Sequence, residues 1–241
     1  MTVASPLGPA IRAVEQASSA QELVRASRAL AEALAAAGDG ADQHGQADQH
    51  GQAEAIGCLV QVLGFNNPGA AVAAVEGLIA AGSAAVLPLL DHLDPRNYGA
   101  RAWAVRALAG IGDVRGLTLL EEALATDVGP SVRRAAACGL GQLRLASLAT
   151  AERQAIRARA LAALLAGCSD AEWVVRYAVV VGLEMLTRAM EPLPAERDQA
   201  QRALLALGQD QRREVPVVRL RADLALRRLQ QPDPVRSSPC T

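Results

Sequence analysis

RNYGARAWAVRALAGIGD, at residues 96–113, holds the pattern on which the prediction of the fold depends. Aligned on Arg101, the pattern recurs around Arg133, Arg176 and Arg219, with Ala71 at the equivalent place in the earliest copy. Relative to the aligned residue, apolar side chains stand at offsets −1, +3, +7 and +10, and the residue at +6 is always small. These offsets place the apolar side chains on one face of a helix, and the small residue lets a neighbouring helix approach closely. Each copy is therefore predicted to be a packing helix.

The spacing of the copies predicts how the helices are arranged. Successive copies lie 30, 32, 43 and 43 residues apart, which leaves room for a second helix and two turns after each one. Second helices with leucine at helical spacing are predicted over residues 84–93, 114–125, 152–166 and 195–207. Repeats of this length are typical of stacked helix pairs, so the chain is predicted to be an all-α superhelical solenoid.

Composition shifts divide the chain into four predicted regions. Residues 1–37 contain two short helical patterns that are expected to cap the stack, and residues 54–230 form the solenoid. Between them, residues 38–53 contain ADQHGQ twice in tandem, a polar stretch predicted to be a disordered insertion. Residues 231–241, rich in Pro and Ser, are predicted to be a disordered tail.

Charge and residue usage exclude several classes of function. All 24 basic residues are arginine, so the chain has no lysine for a Schiff base or for a Walker-type phosphate loop. The net charge is −1 and basic residues do not line one helix face, which argues against nucleic-acid binding. With scattered cysteines, no metal site is expected, and the repeated hexamer explains the spacing of His44 and His50 better than metal binding does. No membrane insertion is expected either.

The few aromatic residues are unevenly placed. Tyr98 with Trp103, and Trp173 with Tyr177, are paired at equivalent helix starts, and Phe65 is the only other aromatic residue. Two interpretations stay open. The rings either fill gaps in the stack, or they form a flat, arginine-bearing surface for a planar ligand or a partner protein.

The aligned arginines also allow a structural interpretation. An aspartate precedes three of them by six or seven residues: Asp94 before Arg101, Asp127 before Arg133 and Asp170 before Arg176. An aspartate in the turn can cap the helix and pair with the arginine of its own or the next repeat, which predicts a ladder of ion pairs. Arg106 has no such aspartate in the pattern, so it is the better candidate for binding a ligand.

Four strings carry a resemblance to a known family: NNPGAAVAAVEGL, NYGARAWAVRALAGIGD, SVRRAAACGLGQL and EWVVRYAVVVGLE. They resemble the beta, or F-type, chains of the heterodimeric phycocyanobilin lyases that act on the phycocyanin alpha subunit. The resemblance covers residues 64–186 closely and the remainder in outline, while the ADQHGQ insertion departs from the family. It implies a HEAT-like fold and pairing with a longer HEAT-like lyase chain.

The resemblance also implies an activity. The paired chains would attach phycocyanobilin, as a substrate and not a permanently bound cofactor, through a thioether to a cysteine of the phycocyanin alpha apoprotein in the cytoplasm. Pigment isomerisation is not expected, because His44, His50 and His92 are not followed by the cysteine of the family's isomerising members. The alternative is a non-catalytic HEAT-repeat adaptor or chaperone that handles phycobiliproteins in assembly or degradation.

Arginine forks suit the bilin propionates, and aromatic faces suit its conjugated rings. The residues predicted to bind the pigment are Tyr98, Arg101, Trp103, Arg106, Trp173, Arg176 and Tyr177. Asp113 or Asp94 is a candidate for protonating the chromophore, although each is equally suited to capping a turn, and the catalytic acid is left open.

Overall fold

The computed structural model describes residues 6–39, 46–91, 97–188, 193–211 and 214–231. Every regular element within these ranges is a helix, in agreement with the predicted all-α class. The chain divides into two compact units, Met1–Gly116 and Leu117–Thr241, each of which is described by itself.

Unit 1 contains six α-helices and two short 3-10 turns among its described residues. The α-helices are α1 (Leu7–Glu15), α2 (Ala20–Asp39), α3 (Gln46–Val62), α4 (Pro68–Ala81), α5 (Val86–Asp91) and α6 (Tyr98–Ile111). The 3-10 turns span Gly82–Ala85 and Val114–Gly116. Helices α2, α4 and α6 pack in one layer, and α1, α3 and α5 pack in a second layer.

Within the described part of unit 2, six α-helices repeat this two-layer arrangement. They are α7 (Leu117–Thr126), α8 (Pro130–Gly141), α9 (Thr150–Gly167), α10 (Trp173–Arg188), α11 (Pro194–Gln209) and α12 (Pro216–Gln230). Helices α8, α10 and α12 pack side by side, and α7, α9 and α11 form the other layer. The second helices predicted from the spacing of the repeats correspond to α5, α7, α9 and α11.

The apolar offsets of the repeat lie in the core, as predicted. At offset +7, Leu78, Leu108, Leu140 and Leu183 are at most 1% exposed. The equivalent residue of the last copy, Leu226, is only partly buried, because α12 ends the row of packing helices in unit 2. Burial of each such leucine contributes roughly 1.5–3 kcal/mol to folding.

The small residue at offset +6 has the predicted purpose of admitting a neighbouring helix. A Cβ on Gly77 in α4 would lie 2.7 Å from the Cβ of Ala31 in α2. A Cβ on Gly182 in α10 would lie 2.5 Å from the carbonyl oxygen of Ala137 in α8. Neither glycine position has room for a side chain, and at Gly182 the two helices touch at the backbone.

The next packing helix is met by the residues at offsets +4 and +8. In unit 2, these are Ala137 and Gly141 of α8, which touch Gly182 of α10. At the same offsets α12 has Asp223 and Arg227, and both are exposed. The face with which α12 would meet a further packing helix is therefore polar, as in the capping repeats of solenoids.

The predicted disordered insertion at residues 38–53 differs from the structure over the part that is described. Helix α2 continues to Asp39 and α3 begins at Gln46, so the second ADQHGQ copy is largely helical and residues 40–45 lie outside the described ranges. Alanine and glutamine are good helix formers, and His50 pairs with Glu54 one turn later at 3.1 Å. The tail from residue 232 also lies outside the described ranges.

One segment of the described residues, Pro68–Asp91, is long and apolar enough to cross a membrane, with a mean hydropathy of 1.9. The expectation of no membrane insertion did not take this apolar segment into account. Length and composition are weak evidence, because the core helix of a globular protein passes the same test. Here the segment comprises α4, a 3-10 turn and α5, and Ala74, Leu78, Val86 and Leu89 are fully buried within unit 1.

The glycine contacts lead to a testable difference between two identical substitutions. Gly182→Ala should lower the free energy of unfolding by about 1–3 kcal/mol, because the new methyl group would overlap the backbone of α8. Gly57→Ala is the matched control within α3, where nothing lies within 4 Å of the added carbon. It should raise stability by about 0.5–1 kcal/mol. Urea denaturation followed by circular dichroism measures both, and equal effects would contradict the proposed close approach.

Candidate functional site

The start of α6 is shaped by an asparagine cap. The side-chain oxygen of Asn97 accepts a hydrogen bond from the backbone N–H of Ala100 at 3.0 Å. Its amide nitrogen donates to the carbonyl of Gly64 at 3.4 Å. The cap holds the first turn of the helix, where Tyr98 projects with 70% of its surface exposed. Tyr98 therefore does not fill a gap within unit 1.

A groove beside this turn, the Trp103 groove, contains a second aromatic ring. It has a volume of about 170 Å³, and its lining includes Trp103, Phe65, Asn97 and Gly99. Arg106 lies one turn along α6 with its guanidinium carbon 4.7 Å from the centre of the Trp103 ring, a cation–π arrangement. Stacking on the Trp103 ring uses only the face of the guanidinium. The N–H groups at its edge therefore stay available to an anionic group.

Arg101, the aligned arginine of α6, is placed differently from Arg106. Its Nε atom is buried and has no hydrogen-bond partner among the described residues. Asp94, its predicted partner and a candidate acid, lies outside the described ranges.

The second predicted aromatic pair lies on α10 in unit 2. Trp173 is the first residue of the helix and is 44% exposed, while Tyr177 follows one turn later and is half-buried. Residues four apart lie on the same helix face, so the two rings belong to one patch. The structure thus brings Trp103 and Arg106 together in unit 1, and Trp173 and Tyr177 together in unit 2.

The aligned arginines of unit 2 form a ladder of bidentate ion pairs. Arg133 donates from Nε to Asp170 Oδ2 at 2.7 Å and from Nη2 to Oδ1 at 3.0 Å. Arg176 donates from Nε and Nη2 to the two carboxylate oxygens of Glu214, at 2.5 and 2.8 Å. Each arginine also donates from Nη1 to main-chain carbonyls of the turn before its own helix. Each therefore fixes its own turn and the turn of the next repeat.

The structure confirms a ladder of arginine–carboxylate pairs, but the expected pairing of Arg176 with the carboxylate of Asp170 is wrong. The carboxylate of Asp170 accepts from Arg133 of the preceding repeat, and Arg176 donates only to the main-chain oxygen of Asp170. Its carboxylate partner is Glu214, whose side chain is 3% exposed. The sequence carried a signal for this residue, since Glu214 stands five residues before Arg219, close to the place that Asp170 takes before Arg176.

Asp113 is engaged in a turn at the end of α6. Its Oδ1 accepts from Arg115 Nε at 2.9 Å and from the backbone N–H of Arg115 at 3.0 Å, while Oδ2 accepts from Arg115 Nη2 at 2.7 Å. The hydrogen bonds to Asp113 raise the pKa of Arg115. Because these bonds stabilise the ionised carboxylate, the geometry favours the capping interpretation of Asp113 over that of a proton donor.

No group of three or more His, Cys, Asp or Glu side chains within the described ranges is arranged to hold a metal ion. His50 is exposed and pairs with Glu54, and His44 lies outside these ranges.

Removing one member of the ladder tests its structural contribution. Arg176→Ala should lower the free energy of unfolding by about 3 kcal/mol, because it leaves the Glu214 carboxylate buried without its cation. Arg134→Ala, at an exposed arginine of α8, is the control and should change stability by less than about 0.5 kcal/mol. Chemical denaturation of both variants gives the comparison. Equal small effects would show that the ladder is a surface feature.

The ladder should also make stability depend on pH in a defined direction. Burial opposes ionisation of Asp170, but the hydrogen bonds from Arg133 and from the backbone N–H of Glu172 lower its pKa below the ordinary value of 3.8. Such a group stabilises the fold above its unfolded pKa, and this contribution is lost as pH falls through the lower folded pKa. Asp170→Asn should therefore cost roughly 2 kcal/mol at pH 7.

The difference between wild type and Asp170→Asn should shrink as the pH falls below about 4. Urea titrations between pH 7 and pH 3 measure it. Asp223→Asn, at an exposed carboxylate of the same unit, serves as the control. A difference that stayed constant down to pH 3 would rule out the proposed linkage.

Relatives with established names resemble nearly the whole chain. The bilin biosynthesis protein RpcF of Synechococcus sp. is 45% identical over 225 residues, which cover 93% of this chain and 97% of the relative. The phycocyanin alpha phycocyanobilin lyase CpcF of Synechocystis sp. is 49% identical over 178 residues, covering 74% of this chain and 75% of the relative. No family model matches the chain.

Solved structures agree with these relatives. The complex of CpcE and CpcF of phycocyanin lyase from Nostoc sp. contains a chain with 43% identity and a TM-score of 0.62, and the match covers 71% of this chain and 97% of that chain. A designed armadillo repeat protein matches with a TM-score of 0.58 at 21% identity, covering 93% of this chain and 100% of its own, and this likeness concerns the fold alone. With its HEAT-like helical repeats and relatives of this identity and coverage, the chain belongs to the family of phycocyanobilin lyase beta chains.

Proposed function

We propose that this chain is one subunit of a heterodimeric bilin lyase, which attaches phycocyanobilin through a thioether to a cysteine of the phycocyanin alpha subunit. The observation that carries this proposal is the 45% identity to a bilin biosynthesis protein over 93% of the chain and 97% of the relative. A relative named for the lyase activity itself, CpcF, is 49% identical over three quarters of its length.

The partner in this proposal is a longer helical-repeat chain of the CpcE type. Its support is the solved complex of CpcE and CpcF, which contains the 43% identical chain. The acceptor is the phycocyanin alpha apoprotein, by analogy with the substrate in the name of the Synechocystis relative. We propose the cytoplasm as the compartment of this chain and of both partners.

The reaction is an addition, and the bonds and the proton involved show what the lyase has to supply. The acceptor thiol adds across the ethylidene group of the bilin: a carbon–sulfur bond forms, the carbon–carbon double bond becomes single, and the thiol proton is transferred to the pigment. The acceptor provides the nucleophile, so the lyase needs none. Its contribution is to hold the pigment and the thiol in a reactive geometry.

The chain's own described thiols are poorly suited to compete for the pigment. Burial raises the pKa of Cys58 to about 11 and that of Cys168 to about 11, and burial also raises the pKa of Cys138. The thiolate is the reactive form, so these cysteines are almost entirely unreactive near neutral pH. The acceptor cysteine is then favoured over these three thiols as the nucleophile for the bilin.

The exposed rings and Arg106 provide surfaces that suit a linear tetrapyrrole. Trp103 with Arg106 in unit 1, and Trp173 with Tyr177 in unit 2, present aromatic faces for the conjugated rings. Arg106 presents a guanidinium for a propionate. Arg176 and Arg133 are tied into the ladder, so we assign them to the fold and not to the pigment.

Arg106→Ala separates pigment binding from folding. The variant should melt like wild type, within about 0.5 kcal/mol, because Arg106 contacts only the Trp103 ring among the interactions described. If Arg106 binds a propionate, its loss should weaken bilin binding by the paired chains about ten- to hundredfold, the value of one charge-assisted hydrogen bond. Fluorescence titration of phycocyanobilin and transfer to phycocyanin alpha are the measurements.

Arg28→Ala, at an exposed arginine of α2 in the same unit, is the matched control and should transfer pigment normally. Normal transfer by Arg106→Ala, together with a much lower melting temperature, would assign Arg106 to the fold. If the wild-type pair binds phycocyanin alpha but forms no thioether with added phycocyanobilin, the chain is an adaptor and the lyase proposal fails.

A further inference from the structure

Arg219 of α12 is the last of the aligned arginines in the described part of unit 2, and it has no carboxylate partner in the ladder. Arg133 and Arg176 each donate from Nε to a carboxylate in the turn before the next packing helix. The Nε of Arg219 is also buried, but it has no hydrogen-bond partner among the described residues. A donor that has an acceptor in two repeats thus lacks one in the third.

The position of α12 explains why the acceptor is missing. It is the last packing helix that the structure describes in unit 2, so no described turn follows it that could supply a carboxylate. Glu184, an acidic side chain of the preceding helix α10, pairs instead with Arg221 and Arg228. An arginine N–H that is buried without an acceptor lowers the stability of a protein. An acceptor from another molecule would remove this cost.

Asp223, one turn beyond Arg219 on the same helix, does not supply the acceptor. Residues four apart share a helix face, so an ion pair between the two would be possible. The structure places Asp223 differently. Its Oδ1 lies 2.8 Å from the position that a Cβ on Gly208 would take, so the carboxylate points toward α11. The guanidinium of Arg219 is therefore open to a carboxylate of another molecule.

Exposed apolar side chains flank Arg219 at the start of α12. Val217 is 44% exposed and Leu220 is 66% exposed, although they stand two and one positions from Arg219 in the sequence. The helix begins at Pro216, so all three residues lie within its first turn and a half. Exposed apolar side chains around a polar anchor are a feature of contacts between proteins. We call Arg219, Val217 and Leu220 the α12 contact.

We propose that the α12 contact binds the longer helical-repeat chain of the CpcE type, with Arg219 donating to a carboxylate of that partner. The inference rests on the proposed function and extends it, because it gives the partner a place on this chain. The pairs within unit 2 indicate the occupant. Arg133 and Arg176 each receive an acidic side chain from a turn between two repeat helices, and a helical-repeat partner contains turns of the same kind.

The geometry expected for the contact is that of the ladder. Nε and an Nη of Arg219 would donate to the two oxygens of one carboxylate, which is the arrangement that a planar guanidinium favours. Val217 and Leu220 would pack against apolar side chains beside that carboxylate. Only the start of α12 is needed for this contact, so Asp223 and Arg227 further along the helix can stay in water.

Replacing Arg219 should weaken the complex without weakening the fold of this chain. Arg219→Gln should reduce the affinity for the longer chain about ten- to hundredfold, the value of one charge-assisted pair. The melting temperature of the variant alone should not fall, because no partner within the described residues is lost. Arg202→Gln, at an exposed arginine of α11, is the matched control and should keep the wild-type affinity. Isothermal titration calorimetry of the two chains, without pigment, is the measurement.

Two further variants test the chemistry of the contact. Arg219→Lys keeps the charge but not the planar fork, so it should retain only part of the affinity for the longer chain. Leu220→Ser should also weaken the complex, because it removes an exposed apolar side chain beside the arginine. Both variants should melt like wild type when measured alone.

Unchanged affinity for the longer chain in Arg219→Gln overturns the proposal. A lower melting temperature of this variant alone also overturns it, because Arg219 would then belong to the fold as Arg176 does. Self-association of the wild-type chain that Arg219→Gln abolishes would assign the contact to a second copy. Weaker binding of phycocyanobilin with normal affinity for the longer chain would assign it to the pigment, and either result contradicts the proposal. An Arg219-dependent complex that transfers no pigment would instead defeat the lyase proposal and leave this contact standing.

Discussion

Contact between the backbones of successive packing helices is the constraint on which the rest of the structure depends. At Gly182 the helices α8 and α10 touch without an intervening side chain, and at Gly77 only the methyl group of Ala31 lies between α4 and the backbone of α2. Helices this close have room only for small and medium side chains, so the buried apolar residues are mainly Ala, Val and Leu. The large rings do not fit between them, and Tyr98 and Trp173 are left at helix starts where they are exposed.

The arginine ladder connects the turns of successive repeats, and the contacts at small residues connect their helices. Arg133 and Arg176 each join their own turn to the carboxylate of the next repeat, so each repeat is fixed to its neighbour at both an apolar and a charged contact. This use of arginine separates two groups that look alike in the sequence. The arginines in the ladder have their donors occupied by the fold, whereas Arg106, stacked on Trp103, and Arg228, which reaches Glu184 from α12, are still partly exposed to solvent.

The helical repeat was predictable from the sequence because burial imposes a period that can be counted. The leucines at offset +7 and the small residues at +6 lie where that period places them. Pairing between repeats was less predictable, since it depends on how far one helix is displaced along the next. Asp170 therefore appeared to belong to Arg176, although its carboxylate binds Arg133. The ion pairs of Glu184 with Arg221 and Arg228 were missed for the same reason, because the partners lie on two helices and more than thirty residues apart in sequence. The start of α3 was predicted to be disordered because the stretch is polar and of low complexity. Such a stretch can still form a helix when it is rich in alanine and glutamine, which are good helix formers.

The polar face of α12 has a consequence for assembly. Identical solenoids whose two ends were both apolar could add head to tail, and such a heterologous contact does not close, so it would grow into a filament. Asp223 and Arg227 occupy the positions where Ala137 and Gly141 of α8 receive the next helix. A second chain placed there would have to remove an aspartate and an arginine from water, which is costly. The two side chains therefore disfavour head-to-tail addition of copies through α12.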